Sequence, residues 1–371
     1  MTVTTCPAFS ELDQEIIDDF SECLRENIDA IENCINLLDT DNDSELIHRL
    51  FRDMHSFKGN CRMVELDPVA KPIHALEEIV SEMRQGTREY ESIYGDFFMS
   101  IILRIETMIQ TLSRVGEVAG EPQVLMLTLI NDVLACEPGK DNEVVNKALN
   151  TLAGASKVED KAALTQNEET ETQKEPEPPG PQNDLAFFKT LSLQLDELTI
   201  YKTGRTEALL DLCLRTNTEL GEPVCAVQLS AAVYIHDIGM ALVPRAILEK
   251  SSQLSANEFK TIQNHVKTAT QLLEKIPGWE VASEIVNQHH ERYNGSGYPQ
   301  GLSADNINPG AMILSLADTF YAATHERADR SFKRSLFSAT SMINGETGRL
   351  FNPSFVEAFN SSIRNRYLKA K

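Results

Sequence analysis

Apolar residues recur every three or four positions over most of the chain, the spacing that places them on one face of a helix. From Ser10 to Asp39 the residues Ile16, Ile17, Phe20, Cys23, Leu24, Ile28, Ile31, Cys34 and Leu37 keep this period, with acidic and polar residues between. Ser10 reads as the N-cap, and the acidic residues after it suit the positive end of the helix dipole. A second pattern starts near Ser44 and carries Leu46, Ile47, Leu50 and Phe51. Helices are also expected over Pro72 to Arg84 and Tyr94 to Leu112, with shorter ones over Leu125 to Cys136 and Val144 to Leu152. No stretch alternates convincingly as a strand. Residues 8–155 therefore read as an antiparallel helical bundle.

The pattern stops between Lys157 and Asp184. QNEETETQKEPEPPGPQND has almost no apolar residues, many acids and clustered prolines. It offers too little surface to bury, so residues 156–184 are expected to form a disordered acidic linker. The helical period resumes at Leu185 and continues to the C-terminus, with no internal repeat. The expected fold class is all-α: a bundle, a tether, and a larger all-helical domain over residues 185–371.

Composition narrows the function classes. A length of 371 residues accommodates two or three domains. The most apolar run, Ala226 to Val243, carries Gln228, His236 and Asp237, a poor fit to hydrocarbon. The N-terminal MTVTTCPAFSELDQE lacks a basic segment followed by an apolar one, so no secretory signal is visible. The seven cysteines form no CxxC pair, and Cys23, Cys34 and Cys213 stand in apolar helical contexts. Reduced core cysteines of a cytoplasmic protein are expected. A net charge of -22 argues against nucleic-acid partners and anionic membrane. An anionic small ligand would need local cations or metal ions to hold it.

Two constellations carry chemistry. In HSFKGNCRM, His55, Lys58 and Gly59 share a helix face. A glycine inside a helix costs about 1 kcal/mol, which suits a face that another surface must approach closely. This HxxKG stretch, with HALEE from His74 to Glu78, resembles a histidine phosphotransfer (HPt) domain. The resemblance implies that His55 carries a phosphoryl group, Lys58 stabilises its charge, and Gly59 lets a receiver domain dock. It also implies that Glu77 holds the imidazole in one tautomer, with His74 as a polar neighbour. Glu65 stands where the family has a small residue near the helix end, and altered helix packing is expected there.

The second constellation is His236-Asp237, His265, His289-His290 and Asp318. Imidazole and carboxylate together suit a divalent transition metal. An HD pair on a helix sets an imidazole toward one ion and a carboxylate that bridges two, and paired ions clamp a phosphoryl group for in-line attack. HDIG (His236 to Gly239), PxxIL from Pro244, HHERYNGSGYPQGL from His289 and ADTF around Asp318 resemble the HD-GYP family of cyclic di-GMP phosphodiesterases. That resemblance implies two divalent ions, iron or manganese, held by His236, Asp237, His265, His289, His290 and Asp318, with Asp237 catalytic. It further implies nucleotide contacts from Gly297, Tyr298, Pro299, Arg327 and Arg330. Glu284, Glu291 and Arg292 read as solvated faces or partners of the ligands. Phe320, Tyr321 and Phe332 read as core.

The departures from that pattern fall in telling places. Thr206 occupies the position of an early metal-binding histidine, and Leu209 that of the arginine after it. Met240 stands where the family has a lysine that contacts substrate phosphate, and Ala269 replaces a glycine. One ion then has Asp237, His265, His289 and His290. The other has His236, Asp237 and Asp318, one imidazole short, so a weak second site is expected. The leading expectation is a phosphorelay-linked cyclic di-GMP phosphodiesterase. The alternative is a degenerate domain that acts as a nucleotide sensor or scaffold without turnover, and a different metal phosphohydrolase ranks third. The expected partners are cyclic di-GMP and the receiver domain of a response regulator or hybrid histidine kinase. A homodimer is left open.

Overall fold

A computed structural model describes residues 3–40, 43–136, 141–154, 182–198, 204–248, 250, 252–325 and 333–368. It divides into two compact units, Met1–Thr170 with Arg366–Lys371, and Glu171–Asn365. Both are helical, as the spacing of apolar residues predicts. The exception among the described residues is one antiparallel pair of three-residue strands, β1 (Val3–Thr5) and β2 (Glu117–Ala119), with Val3 opposite Ala119. Most of the expected linker lies outside the described residues.

In the first unit, α1 (Pro7–Ser10) precedes four long helices: α2 (Gln14–Leu38), α3 (Ser44–Met63), α4 (Asp67–Arg84) and α5 (Ser92–Val115). Two shorter ones follow, α6 (Glu121–Leu134) and α7 (Asp141–Gly154). Phe20, Ile31, Leu50, Phe57, Leu76, Phe97 and Ile101 are fully buried between the long helices, so the periodic faces meet as expected. The first long helix begins three residues later than the sequence suggests. Pro7 opens a separate turn that ends at Ser10, so Asp13, not Ser10, stands at the N-cap.

Two further local differences have physical causes. Helix α4 runs through Pro72 instead of starting there. Pro72 has no N–H to give the carbonyl of Pro68, and the side-chain amide of Gln123 donates to that carbonyl at 2.8 Å. Glu65 does not disturb packing inside α3. It lies just past the helix end with φ 55°, and Leu66 N–H closes back on the Cys61 carbonyl at 2.9 Å. A left-handed residue here stops the helix.

The second unit contains α8 (Gln182–Leu198), α9 (Arg205–Glu219), α10 (Ala226–Ile235) and α11 (Arg245–Leu248). It continues with α12 (Ala256–Leu273), α13 (Glu280–Gln288), α14 (Pro309–Thr324), α15 (Leu336–Gly345) and α16 (Pro353–Tyr367). Helix α8 already includes the last three residues assigned to the linker. Asp184 among them accepts the Trp279 indole N–H at 3.2 Å, and Phe188 meets the same indole edge-on. Trp279, Phe337 and Phe359 are fully buried, and Phe320 packs edge-on against Phe359. Tyr321 is buried and stacked on His325, so both aromatics belong to the core. Phe332 lies outside the described residues. All seven cysteines are free; Cys6, Cys23, Cys34, Cys61 and Cys213 are buried and Cys225 is exposed. Among the described residues, no helix is long and apolar enough to cross a membrane.

Candidate functional site

In the first unit, α3 presents His55 toward α4. The His55 Nδ1–H donates to Glu77 Oε1 at 2.7 Å, and the Lys58 ammonium donates to Oε2 of the same carboxylate. Glu77 is buried, whereas the His55 side chain keeps about a quarter of its surface exposed. Burial alone would raise the Glu77 pKa. The hydrogen bond from His55 and the charge and hydrogen bond of Lys58 overcome this and hold the carboxyl at about 2. Because a carboxylate only accepts, Nδ1 carries the proton and Nε2 is left to attack. Phe51 lies parallel to the imidazole, and Arg84 caps the Phe51 ring at 4.0 Å. His74 Nδ1 stands 3.6 Å from Glu77 Oε2 on a half-exposed side chain. Lys58, assigned by resemblance to the phosphate, has its ammonium already engaged by Glu77. Gly59 is half-buried on α3, one turn beyond His55.

In the second unit, six side chains from four segments converge. His236 caps the C-terminal end of α10 and Asp237 opens the 3₁₀ turn Ile238–Leu242, so the HD pair straddles a helix end instead of riding within it. His265 comes from the middle of α12, His289 and His290 from the end of α13, and Asp318 from α14. Three of the imidazoles use the same local device. Nδ1 of His236, His265 and His289 donates to the carbonyl three residues earlier, at 2.7, 2.6 and 2.6 Å. That contact fixes the tautomer and leaves each Nε2 bare of a proton, the state a metal ligand needs. Burial lowers the His236 pKa and pushes those of His289 and His290 well down, so these rings are neutral.

The ligand atoms fall into two groups, each within 4.8 Å: His265, His289 and His290, and His236, Asp237 and Asp318. In the first group the Nε2 atoms of His265 and His289 are 3.5 Å apart, and Asp237 Oδ1 lies 3.3 Å from His265 Nε2. Metal–ligand bonds of about 2.0–2.2 Å separate neighbouring donors by roughly 3–4 Å. Three imidazoles and one carboxylate at such distances fit a divalent transition ion.

The second group does not fit an ion as it stands. Arg205, the first residue of α9, extends its guanidinium into it. A single nitrogen, Nη2, is 2.7 Å from Asp237 Oδ2, 2.9 Å from Asp318 Oδ1 and 3.1 Å from His236 Nε2. Burial would raise the Asp237 carboxyl, but the positive charge of Arg205 beside it holds it well below the ordinary range. Asp318 is likewise lowered against burial, chiefly by Arg205. Thr206 does not face the ligands. Its hydroxyl pairs with Ser192 at 2.7 Å and its N–H donates to Asp196 at 2.9 Å. Met240 is buried in an apolar cluster with Val243 and Leu248, so no cation stands at that position.

The GYP loop supports the ligands from beneath. Tyr298 stacks on His290 with centroids 4.8 Å apart and meets Phe259 edge-on. A Cβ on Gly297 would fall 2.4–2.5 Å from backbone atoms of His290, Glu291 and Arg292, so this glycine serves close packing of the loop onto the histidine pair. The following bond, Tyr298–Pro299, is cis. Glu291, expected at a solvated face or beside the ligands, is buried and accepts the N–H groups of Gln300, Gly301 and Leu302 at 2.7–3.1 Å. Arg292 donates to Ser315 at 2.9 Å and lies over Phe351. Arg327 and Arg330 lie outside the described residues. A groove of about 650 Å³ between α12 and α13 is lined by Glu274, Glu280 and Glu284, a poor surface for an anionic ligand.

Residues 15–115 match the family model of the Hpt domain, and residues 191–355 match that of the HD domain. A cyclic di-GMP phosphodiesterase of Thermotoga maritima is 34% identical over 179 residues, 47% of this chain and 48% of that protein. A 3'3'-cGAMP-specific phosphodiesterase of Vibrio cholerae is 32% identical, covering 41% of this chain and 35% of its own length. The cyclic di-GMP phosphodiesterase response regulator RpfG of Xanthomonas campestris is 30% identical, covering 43% of each chain. The chain thus spans about half or less of the length of the curated relatives it matches.

Proposed function

From a chain that joins an Hpt domain to an HD domain, we propose a signalling protein with two chemistries. His55 takes up and passes on a phosphoryl group, and the HD domain hydrolyses a cyclic dinucleotide, with cyclic di-GMP the leading candidate. The observation that carries the second half is the grouping of His265, His289 and His290 within ligand reach of one another, with Asp237 beside His265. A divalent ion held there would polarise a phosphodiester oxygen and acidify a water molecule. The protein's own residues prepare that chemistry. His265 and His289 are locked in the ligating tautomer, and Tyr298 fixes the His290 ring by stacking. Arg205 offsets the charges of Asp237 and Asp318, so the floor of the site does not repel an approaching phosphate. In the first unit, the grip of Glu77 on Nδ1 supports attack by Nε2 of His55 on a phosphorylated receiver domain.

A second reading, nucleotide binding without turnover, is favoured by one observation: Met240 leaves an apolar side chain where a phosphate-binding cation is expected. The test is cleavage of cyclic di-GMP by the full chain supplied with manganese or iron, followed chromatographically. We expect linear product from the wild type and none from the His289→Ala/His290→Ala double variant, with its metal lost. Binding without cleavage selects the second reading, and neither binding nor cleavage rejects both. A phosphorylated receiver domain should label the wild type but not His55→Gln. A labelled variant would place the acceptor elsewhere.

A further inference from the structure

Arg205 is the feature of the second unit that the metal chemistry leaves unexplained. The sequence places it one residue before Thr206, where a histidine ligand is missing, and at the first position of α9. Its side chain is 4% exposed. A guanidinium is charged at every accessible pH and cannot accept a hydrogen bond or ligate a metal. Here one of its nitrogens lies within 3.1 Å of all three potential ligands of the second group. Those contacts place a positive centre between two carboxylates and a neutral imidazole, where a cation would otherwise be required. The surroundings hold the group in place. Thr206 N–H is tied to Asp196 and the Thr206 hydroxyl to Ser192, both from α8, so the start of α9 is pinned behind the guanidinium.

We propose that Arg205 is a built-in replacement for the second metal ion, so that the HD domain of this chain carries a one-ion centre. The inference deepens the phosphodiesterase reading and rests on the same site. An ion entering the second group would have to displace a buried guanidinium from two charge-assisted hydrogen bonds and would meet its positive charge at close range. Among the described residues, the His265, His289 and His290 set has no such competitor, and Asp237 offers it Oδ1 while Oδ2 is held by Arg205. With an ion held by that set, Asp237 would turn one oxygen toward it while Arg205 keeps the other. Position 206 faces α8, so the side chain that reaches the second group comes from position 205, and it is a guanidinium instead of a ligating imidazole.

The test is metal stoichiometry of the full chain in excess manganese, by elemental analysis, together with the electron paramagnetic resonance spectrum of the bound Mn(II). The wild type should hold about one ion, with the spectrum of an isolated centre. Arg205→Ala and the bulkier neutral Arg205→Gln should rise toward about two, with the line shape of a spin-coupled pair. Arg205→Lys, which keeps the charge, should stay at about one. Two ions in the wild type would overturn the proposal whatever the variants do. So would one ion in the wild type with no gain in either neutral variant that keeps its helical circular dichroism. The outcome is separable from turnover. Two ions with cleavage would leave the phosphodiesterase standing and remove only the role of Arg205. One ion without cleavage would do the reverse.

Discussion

Glu77 holds the His55 imidazole and the Lys58 ammonium on one carboxylate, and its pKa records the balance. Burial raises it, but His55 and Lys58 bring it from 4.5 down to about 2. A carboxyl depressed in the folded state contributes its stability in full above its unfolded pKa. That contribution fades as pH falls from 4.5 toward 2. At about 1.4 kcal/mol per pKa unit, the contribution is roughly 3 kcal/mol. Glu77→Gln removes it and leaves the buried Lys58 ammonium beside a neutral amide, which costs about 3 kcal/mol or more at neutral pH. Urea unfolding of the first unit at pH 7, 4 and 3 should therefore show a large gap between wild type and Glu77→Gln that narrows as the pH drops. A gap independent of pH would mean that the carboxylate is not what Lys58 depends on. The same variant should take up phosphoryl groups more slowly, because the His55 Nδ1–H then faces a neutral acceptor.

Elements, more than single residues, set which parts of the molecule were readable in advance. The long helices were legible because a period of three to four repeats over many residues leaves no competing pattern, as from Ile16 to Leu37. The three-residue strands were not, because so short a segment shows no alternation, and their pairing joins residues more than a hundred positions apart. All six potential ligands were legible as residue types in order, and the structure brings them together. Arg205 was not, although a cation beside a missing ligand was available as a signal. Residue order cannot show that the side chain at position 205 turns inward while position 206 turns toward α8. Gly239 was legible as the end of HDIG, but its packing role was not. Its 3₁₀ turn presses on α12 so closely that a Cβ would sit 2.5 Å from the His265 carbonyl oxygen and 2.6 Å from its Cα. These are backbone atoms that no rotamer change can move. Gly239→Ala must push the turn off α12 and pull Asp237 from His265, now 3.3 Å apart. We expect a loss of about 1–3 kcal/mol in stability and about tenfold or more in manganese affinity. Titration calorimetry with unchanged affinity would show that the turn relaxes without moving the ligands.

Charge is distributed over the whole molecule unevenly. Residues 185–371 carry 19 Lys and Arg against 19 Asp and Glu, so the full -22 falls on residues 1–184. The half that would bind an anionic dinucleotide is therefore neutral, and it is covalently joined to a strongly acidic one. Within the site, the charge of Arg205 is already matched by Asp237 and Asp318. At about 0.01 M salt the Debye length is roughly 30 Å, so the net negative charge of the full chain would act on a dinucleotide before contact. At about 0.15 M it falls to roughly 8 Å and the repulsion is screened. Association of cyclic di-GMP with the full chain should then speed up severalfold as salt rises through that range, the opposite of a ligand steered into a basic cleft. Stopped-flow association rates measured across the range decide it. A rate that falls with salt would mean that local cations at the site outweigh the acidic half.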